Sequence, residues 1–344
     1  MTQFLRTLQS VRRFADYRKH RIPNKDILID ISNVCNAQCY YCPIGLANRK
    51  GAPSCSQSGA PSFMPTDLFQ KILQHLKDTQ WLQPHTCLLP YIWHEPLLHP
   101  EFASIIRIAN HFNCPLDIST NANVLPKIPN DFDASRIYIV WFSMPGFSQQ
   151  SYDKIHKFDF ERIKHNITTL VHTFREHGCI GHFKIAFHVY QSNIHELPTA
   201  YEFARSLHID CQPYFATLCS FKDIARYLKQ ELSMDFLSKI SRDLFMGLTL
   251  NLKGPQSTCP WYNNGLAIDS QGNVLPCCNT TDPLGSVFEV TPQKLREWHQ
   301  GYDFCKECLA LGLPNRDNAY CDFYPPHYNW RWQWYLEILK QCLR

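Results

Sequence analysis

The chain has 344 residues, 44% of them apolar and 19% charged, with a formal net charge of +4. That length buries a large core and suits one large and one small domain, and the apolar share excludes a disordered chain. The charge is small and forms no block of one sign, so neither nucleic acid nor an anionic membrane surface is implied as a partner.

The start, M-T-Q-F-L-R-T-L-Q-S-V-R-R-F, reads as an amphipathic helical extension over 1–24 rather than a signal peptide. No stretch reaches the roughly 18–20 apolar residues of a spanning helix. Sixteen cysteines without a secretion signal imply thiols serving as ligands in a reducing cytoplasm, not disulfides.

In chain order, Ile27–Ile31 is a strand that runs into C-N-A-Q-C-Y-Y-C, Cys35 to Cys42. A flexible Gly/Ser/Pro flap over 45–63 follows. A helix opens at Pro65-Thr66-Asp67 with apolar Leu68, Ile72, Leu73 and Leu76 on one face. The run 86–93 is a buried strand ending at His94-Glu95-Pro96, followed by a helix through Phe102, Ile105, Ile106 and Ile108. Leu116–Ser119 is a short strand turning at Thr120-Asn121-Ala122, and Ile137–Phe142 is a strand stopping at Ser143. Next come a helix over 149–174, a strand over 183–189, a helix over 196–207, a strand over 210–218 and a helical region over 221–248. Six strands alternating with helices call for a parallel sheet with crossover helices. Six units rather than eight predict an open, partial (β/α)6 TIM-like barrel over 25–248. In such a fold chemistry gathers at the C-terminal strand ends. The cysteine loop, His94-Glu95, Thr120-Asn121 and Ser143 all fall at that end.

The spacing of Cys35, Cys39 and Cys42 places three thiolates on one compact loop, able to hold three corners of a four-iron cluster. An ordinary four-iron cluster takes four thiolates. No cysteine follows within ten residues, Cys55 being the next, so one iron would stay open to a ligand that is not protein. The competing reading is half of a zinc ribbon, which the extra Cys35 fits poorly.

At this point the chain resembles the radical SAM superfamily, through C-x3-C-x2-C after the first strand and the Glu-Pro turn after the second. The resemblance covers about 25–245. It implies a [4Fe-4S] cluster on Cys35, Cys39 and Cys42 whose open iron binds S-adenosylmethionine. It also implies cleavage of that molecule to a 5′-deoxyadenosyl radical, and an electron supply from a flavodoxin, ferredoxin or reductase. Carried over, Tyr41 lies near the adenine, Glu95 helps hold the methionine amino group and Ser143 contacts the ribose. Ser119, Asn121 and His188 complete the candidate set, with turn and capping chemistry the plain alternative for Ser119, Asn121 and Ser143, and a core or rim position that for His188. The family's glycine pair ahead of the acid is Trp93-His94 here, which brings the His94 side chain toward the site. Its Thr-Asn-Gly is Thr120-Asn121-Ala122. No catalytic acid or base is identified.

The last hundred residues differ in character. Cys259 precedes a hairpin, Leu266–Ile268 and Val274-Leu275 with a turn over 269–273. Cys277-Cys278 end it, and F-C-K-E-C supplies Cys305 and Cys308. Four thiolates so arranged accept zinc or a cluster. The arrangement, with Gly272 ahead of Cys277, resembles the SPASM or shorter twitch auxiliary-cluster domain. That implies a small α+β domain over 249–344 with one auxiliary [4Fe-4S] cluster on Cys259, Cys277, Cys305 and Cys308. Cys278 is the alternative to Cys277, and Cys321 and Cys342 are left without a role. The twitch resemblance implies oxidation of a small carbohydrate or aminocyclitol. The other readings are a peptide maturase performing epimerisation or cross-linking, and a non-catalytic zinc-ribbon protein. The flap and the aromatic tail (Tyr324, Tyr328, Trp330, Trp332) are candidate covers of the pocket.

Overall fold

A computed structural model describes residue 19 and, between 26 and 314, all but 40–41, 50–61, 219, 247–254, 256, 260 and 262–264. The expectations for the N-terminal helix, Tyr41, most of the flap, Cys321, Cys342 and the aromatic tail lie outside the described residues.

Six parallel strands form the barrel wall: β1 (Ile27–Ile29), β2 (Leu88–Leu89), β3 (Leu116–Thr120), β4 (Ile137–Met144), β5 (His182–Val189) and β6 (Asp210–Phe215). They lie side by side in chain order, and β1 carries a further parallel neighbour, β7 (Leu266–Ile268). The hairpin partner β8 (Asn273–Leu275) and then β9 (Gly285–Ser286) extend the sheet antiparallel, giving nine strands in all. The barrel is therefore partial, as expected, and the C-terminal hairpin continues its sheet.

Alternation along β1 sends Ile27, Ile29 and Ile31 to one face and Leu28 and Asp30 to the other. The first face packs under helices. In α2 (Thr66–Asp78) Phe69, Ile72, Leu73 and Leu76 are buried at helical spacing, and in α3 (Phe102–His111) Phe102, Ile105, Ile106 and Ala109. The opposite face holds two smaller clusters, one of Cys87, Tyr138, Ile139, Trp141 and Ala186, the other of Leu28, Ala267 and Leu275.

Several boundaries differ from the sequence pattern for local reasons. The second strand shrinks to two residues because Pro90 has no N–H to offer a ladder. The fourth runs on through Ser143 to Met144. Pro213 is tolerated in β6 because that strand is a sheet edge. The helix expected over 149–174 is two, α4 (Gln149–Lys154) and α5 (Phe160–Glu176). Lys157 between them has φ 65°, and Asp159 caps α5 by accepting from the Arg162 N–H at 2.7 Å. The region after β6 likewise splits into α7 (Phe221–Leu228) and α8 (Met234–Ile240), with left-handed Gln230 between them; α6 is Leu197–Ser206. The flap expected from residue 45 begins as a helix, α1 (Pro43–Arg49). Two helices close the described chain, α9 (Pro292–Gly301) and α10 (Asp303–Ala310).

Candidate active site

The loop leaving β1 carries Cys35, Cys39 and Cys42 and is fastened from behind by α1. Asn48 donates through Nδ2 to the carbonyls of Cys35 (2.7 Å) and Ala37 (2.6 Å). Arg49 donates to the Gln38 carbonyl and, at 2.7 Å, to that of Lys154. Gly45 presses on the Cys39 backbone so closely that a Cβ there would lie 2.3 Å from the Cys39 oxygen and 2.4 Å from its nitrogen. Only glycine permits that approach.

Burial pushes the Cys35 thiol up to about 12, with Glu95 and Asp30 adding repulsion against the Ala37 N–H. Burial also raises Cys42, opposed by the N–H groups of Gly45 and Ile44 at the start of α1. Neutral thiols in this pocket must therefore give up protons to bind a metal, and backbone donors are in place to receive the thiolates.

The turn after β2 is tied to this loop by the Glu95 N–H, which donates to the Val34 carbonyl at 3.0 Å. The Glu95 carboxylate is only 3% exposed and already has three protein donors. They are the Leu97 N–H (3.1 Å), the Thr120 hydroxyl (2.6 Å) and the Asn121 N–H (2.7 Å). Burial nevertheless lifts it to about 7. Glu95 thus clamps the end of β3 to the turn, a structural task that the sequence pattern did not suggest. Asn121 reaches back through Nδ2 to Asn36 Oδ1 (2.9 Å) and lies 4.0 Å from Cys35 Sγ. Ala122 takes φ 55°, the left-handed conformation for which the related motif carries glycine. Neither Trp93 nor His94 has a positive φ, so that turn needs no glycine.

His94 is held by Asp30. Its Nδ1 is 2.7 Å from Asp30 Oδ2, with the two side chains 6% and 7% exposed. The same carboxylate accepts the N–H groups of Ile92 and Trp93, each at 3.2 Å. Asp30, the acid inside an otherwise apolar strand, is a site residue that sequence reasoning missed. Its signal was a charge where a strand buries both faces.

The remaining candidates spread along the inner face of the sheet. Registers align Ser119 with Trp141, Ser143 with Ala186 and His188 with Tyr214, so these candidates stand on the neighbouring strands β3, β4 and β5. Burial holds His188 down to about 4, and its neighbour His156 to about 3. The same face carries Asp117, which accepts from the Tyr91 hydroxyl and Trp141 Nε1 at 3.4 Å each. Lys184 lies 4.9 Å from the Trp141 ring centre.

The second cysteine group comes together as one pocket. Cys259, Cys277, Cys305 and Cys308 all line it, with Trp261, Thr280, His299 and Phe304. Cys278 instead packs against the Leu28–Ala267–Leu275 cluster, separating the adjacent thiols. Cys305 and Cys308 project from α10, one turn apart, because i and i+3 share a helix face. His299, 1% exposed, has Nδ1 3.7 Å from Cys305 Sγ, and burial holds it down to about 4. It is a second residue the sequence pattern did not single out.

Among the described residues, no three His, Cys, Asp or Glu side chains are grouped so as to hold a single metal ion. A cube spreads its thiolates over its corners, so an all-cysteine trio on one loop and an all-cysteine quartet around one pocket fit iron–sulfur clusters as donor sets. No described helix is long and apolar enough to cross a membrane.

No protein-family model and no curated protein matches the sequence. Solved structures do. One of anSMEcpe with bound AdoMet is 17% identical over 82% of this chain and 82% of its own, with a TM-score of 0.51. SuiB from Streptococcus suis bound to S-adenosylmethionine is 14% identical over 83% of this chain and 69% of its own, TM-score 0.50. SuiB bound to the precursor peptide SuiA is 17% identical over 89% and 74%, TM-score 0.50. The chain has the fold of AdoMet-bound radical SAM enzymes, the superfamily its three-cysteine loop resembles.

Proposed function

We propose that this protein is a radical SAM enzyme that removes a hydrogen atom from an organic substrate and completes a net two-electron oxidation. The observation that carries the reading is the loop of Cys35, Cys39 and Cys42, locked behind by Gly45 and Asn48 at the C-terminal end of β1. Cys35, Cys39 and Cys42 would hold a [4Fe-4S] cluster with an open iron for S-adenosylmethionine, and Cys259, Cys277, Cys305 and Cys308 a fully ligated auxiliary cluster. These groups would supply, respectively, reductive cleavage of the sulfonium to a 5′-deoxyadenosyl radical and an acceptor for the electron left after hydrogen-atom and proton loss.

The chain's own residues bind, orient and exclude water. Asn121 steadies Asn36 beside Cys35, while Ser119, Ser143 and His188 line the inner wall for the nucleoside and substrate. An inner face bearing Asp117 with the rings of Tyr91, Trp141 and Tyr214 and the Lys184 ammonium suits a polyhydroxylated ring. Carboxylate and ammonium meet hydroxyls, and aromatic faces cover C–H edges. A small carbohydrate or aminocyclitol is therefore the substrate class we assign. The second reading, a modified peptide, draws support from the similar fold of SuiB bound to its precursor peptide.

Anaerobic reconstitution followed by S-adenosylmethionine and dithionite tests the reading. The expected result is a brown protein that forms 5′-deoxyadenosine, lost in Cys39→Ala. Stoichiometric zinc without a brown chromophore would overturn it in favour of a zinc-binding protein, and 5′-deoxyadenosine formation indifferent to Cys39→Ala would overturn the role given to the three-cysteine loop.

A further inference from the structure

Asp30 and His94 form a carboxylate–imidazole pair at the edge of the three-cysteine loop, and nothing in the proposed chemistry has used it. Asp30 sits at the end of β1 on the inner face, anchored by two backbone donors from the turn after β2. A carboxylate fixed by two N–H groups is a settled acceptor, so the imidazole Nδ1–H is directed to it. That tautomer leaves Nε2 as a bare lone pair. Nε2 is fully buried and has no hydrogen-bond partner in the protein. A buried acceptor left unmet costs free energy, and in a folded protein such an atom calls for a ligand to meet it.

The adjacent residue sharpens the point. Glu95 is the acid that the family resemblance assigns to the methionine amino group. Here its two oxygens are met by Leu97, Thr120 and Asn121, so most of its accepting capacity serves the fold. His94 immediately precedes it, in a turn bonded to Val34, the residue before Cys35. The turn and the cysteine loop are thus neighbours, so a ligand held at this loop would have His94 within its surroundings.

We propose that His94 Nε2, backed by Asp30, accepts a hydrogen bond from the α-ammonium of S-adenosylmethionine and replaces Glu95 as the anchor of that group. The proposal rests on the radical SAM reading. The Asp30 charge behind the ring favours a cationic donor, and the two backbone bonds to Asp30 keep the pair rigid before the ligand arrives.

The test is a double-mutant cycle between protein and ligand, read as equilibrium binding to the reconstituted full chain. The ligands are S-adenosylmethionine and its analogue lacking the α-amino group. His94→Phe is expected to weaken S-adenosylmethionine about 10- to 100-fold, the range for a hydrogen bond to a charged group, and to leave binding of the deaminated analogue unchanged. His94→Asn keeps an N–H toward Asp30 but offers no acceptor at the Nε2 position, so it should reproduce the loss if the phenylalanine variant folds poorly. Unaltered S-adenosylmethionine affinity in both variants overturns the proposal. So does an equal loss for both ligands, which would mark a general packing role. If the wild type itself binds no S-adenosylmethionine, the radical SAM reading fails and this proposal with it. If the wild type binds and the His94 variants match it, only the proposal fails.

Discussion

Gly45→Ala puts two opposed effects in the same residue. In an isolated helix the change stabilises by about 0.5–1 kcal/mol, because glycine has more backbone freedom to lose. In α1 the new methyl would meet the Cys39 backbone at 2.3, 2.4 and 2.9 Å, for O, N and C in turn. The nearest of these is about 1 Å inside ordinary contact. Overpacking of this kind costs about 1–3 kcal/mol, and here the obstructing atoms are backbone, which cannot swing aside like a side chain. The net expectation is destabilisation by about 1–2 kcal/mol, together with displacement of Cys39 relative to Cys42. Denaturant unfolding of the metal-free chain reads the first. Iron and sulfide counts after reconstitution read the second. Iron should fall to about half that of the wild type, because the four-cysteine pocket is untouched. A Gly45→Ala protein that is as stable as the wild type, with full iron, would refute the claim that α1 props the cysteine loop.

Two further outcomes follow from burial and placement. His156 is held down to about 3 by burial, against 6.5 for an ordinary imidazole, so the unfolded chain takes up a proton that the folded one refuses. Its contribution is fully present above about pH 6.5 and is lost as pH falls toward 3, at about 1.4 kcal/mol per pH unit. His156→Phe keeps the ring packed on Tyr152 and Phe158 but removes the proton site. Between pH 6.5 and 4.5 the variant should lose about 2.3 kcal/mol less stability than the wild type in urea unfolding, because the unfolded imidazole is already half protonated at the upper limit; parallel curves would contradict this. At the auxiliary pocket, Cys277→Ser should abolish the second cluster while Cys278→Ser keeps it, as counted by iron per chain. The reverse pattern would mean that Cys278, not Cys277, faces the iron.

Much of this architecture can be read directly from residue order. Apolar runs such as Ile137–Phe142 are strands because both faces are buried, and the spacing of Leu68, Ile72, Leu73 and Leu76 is helical because one face is. The cysteine groups stand out for another reason, since their short, fixed spacings are those that a shared ligand would require. What sequence pattern hid was tertiary. The helix α1 holds a glycine in seven residues and owes its place to Asn48 and Arg49 reaching across to the loop. The task of Glu95 was hidden because its partners Thr120 and Asn121 come from another strand end. The Asp30–His94 pair spans 64 positions, and no local pattern announces it.

The pairing of Ile27 with Leu266 has a consequence for how the protein is made. β1 is synthesised long before its outer partner, β7. Until the hairpin leaves the ribosome, one edge of β1 offers a row of unpaired backbone groups to any other chain. The three-cysteine loop that β1 carries is complete in sequence by Cys42, yet the strand that positions it gains its second neighbour only after residue 268 has been made. A chain cut before residue 266 keeps all three loop cysteines and should nonetheless aggregate. Iron loaded during synthesis would enter an unfinished wall, so loading of the loop is expected to be more complete when iron is supplied after β7 has paired.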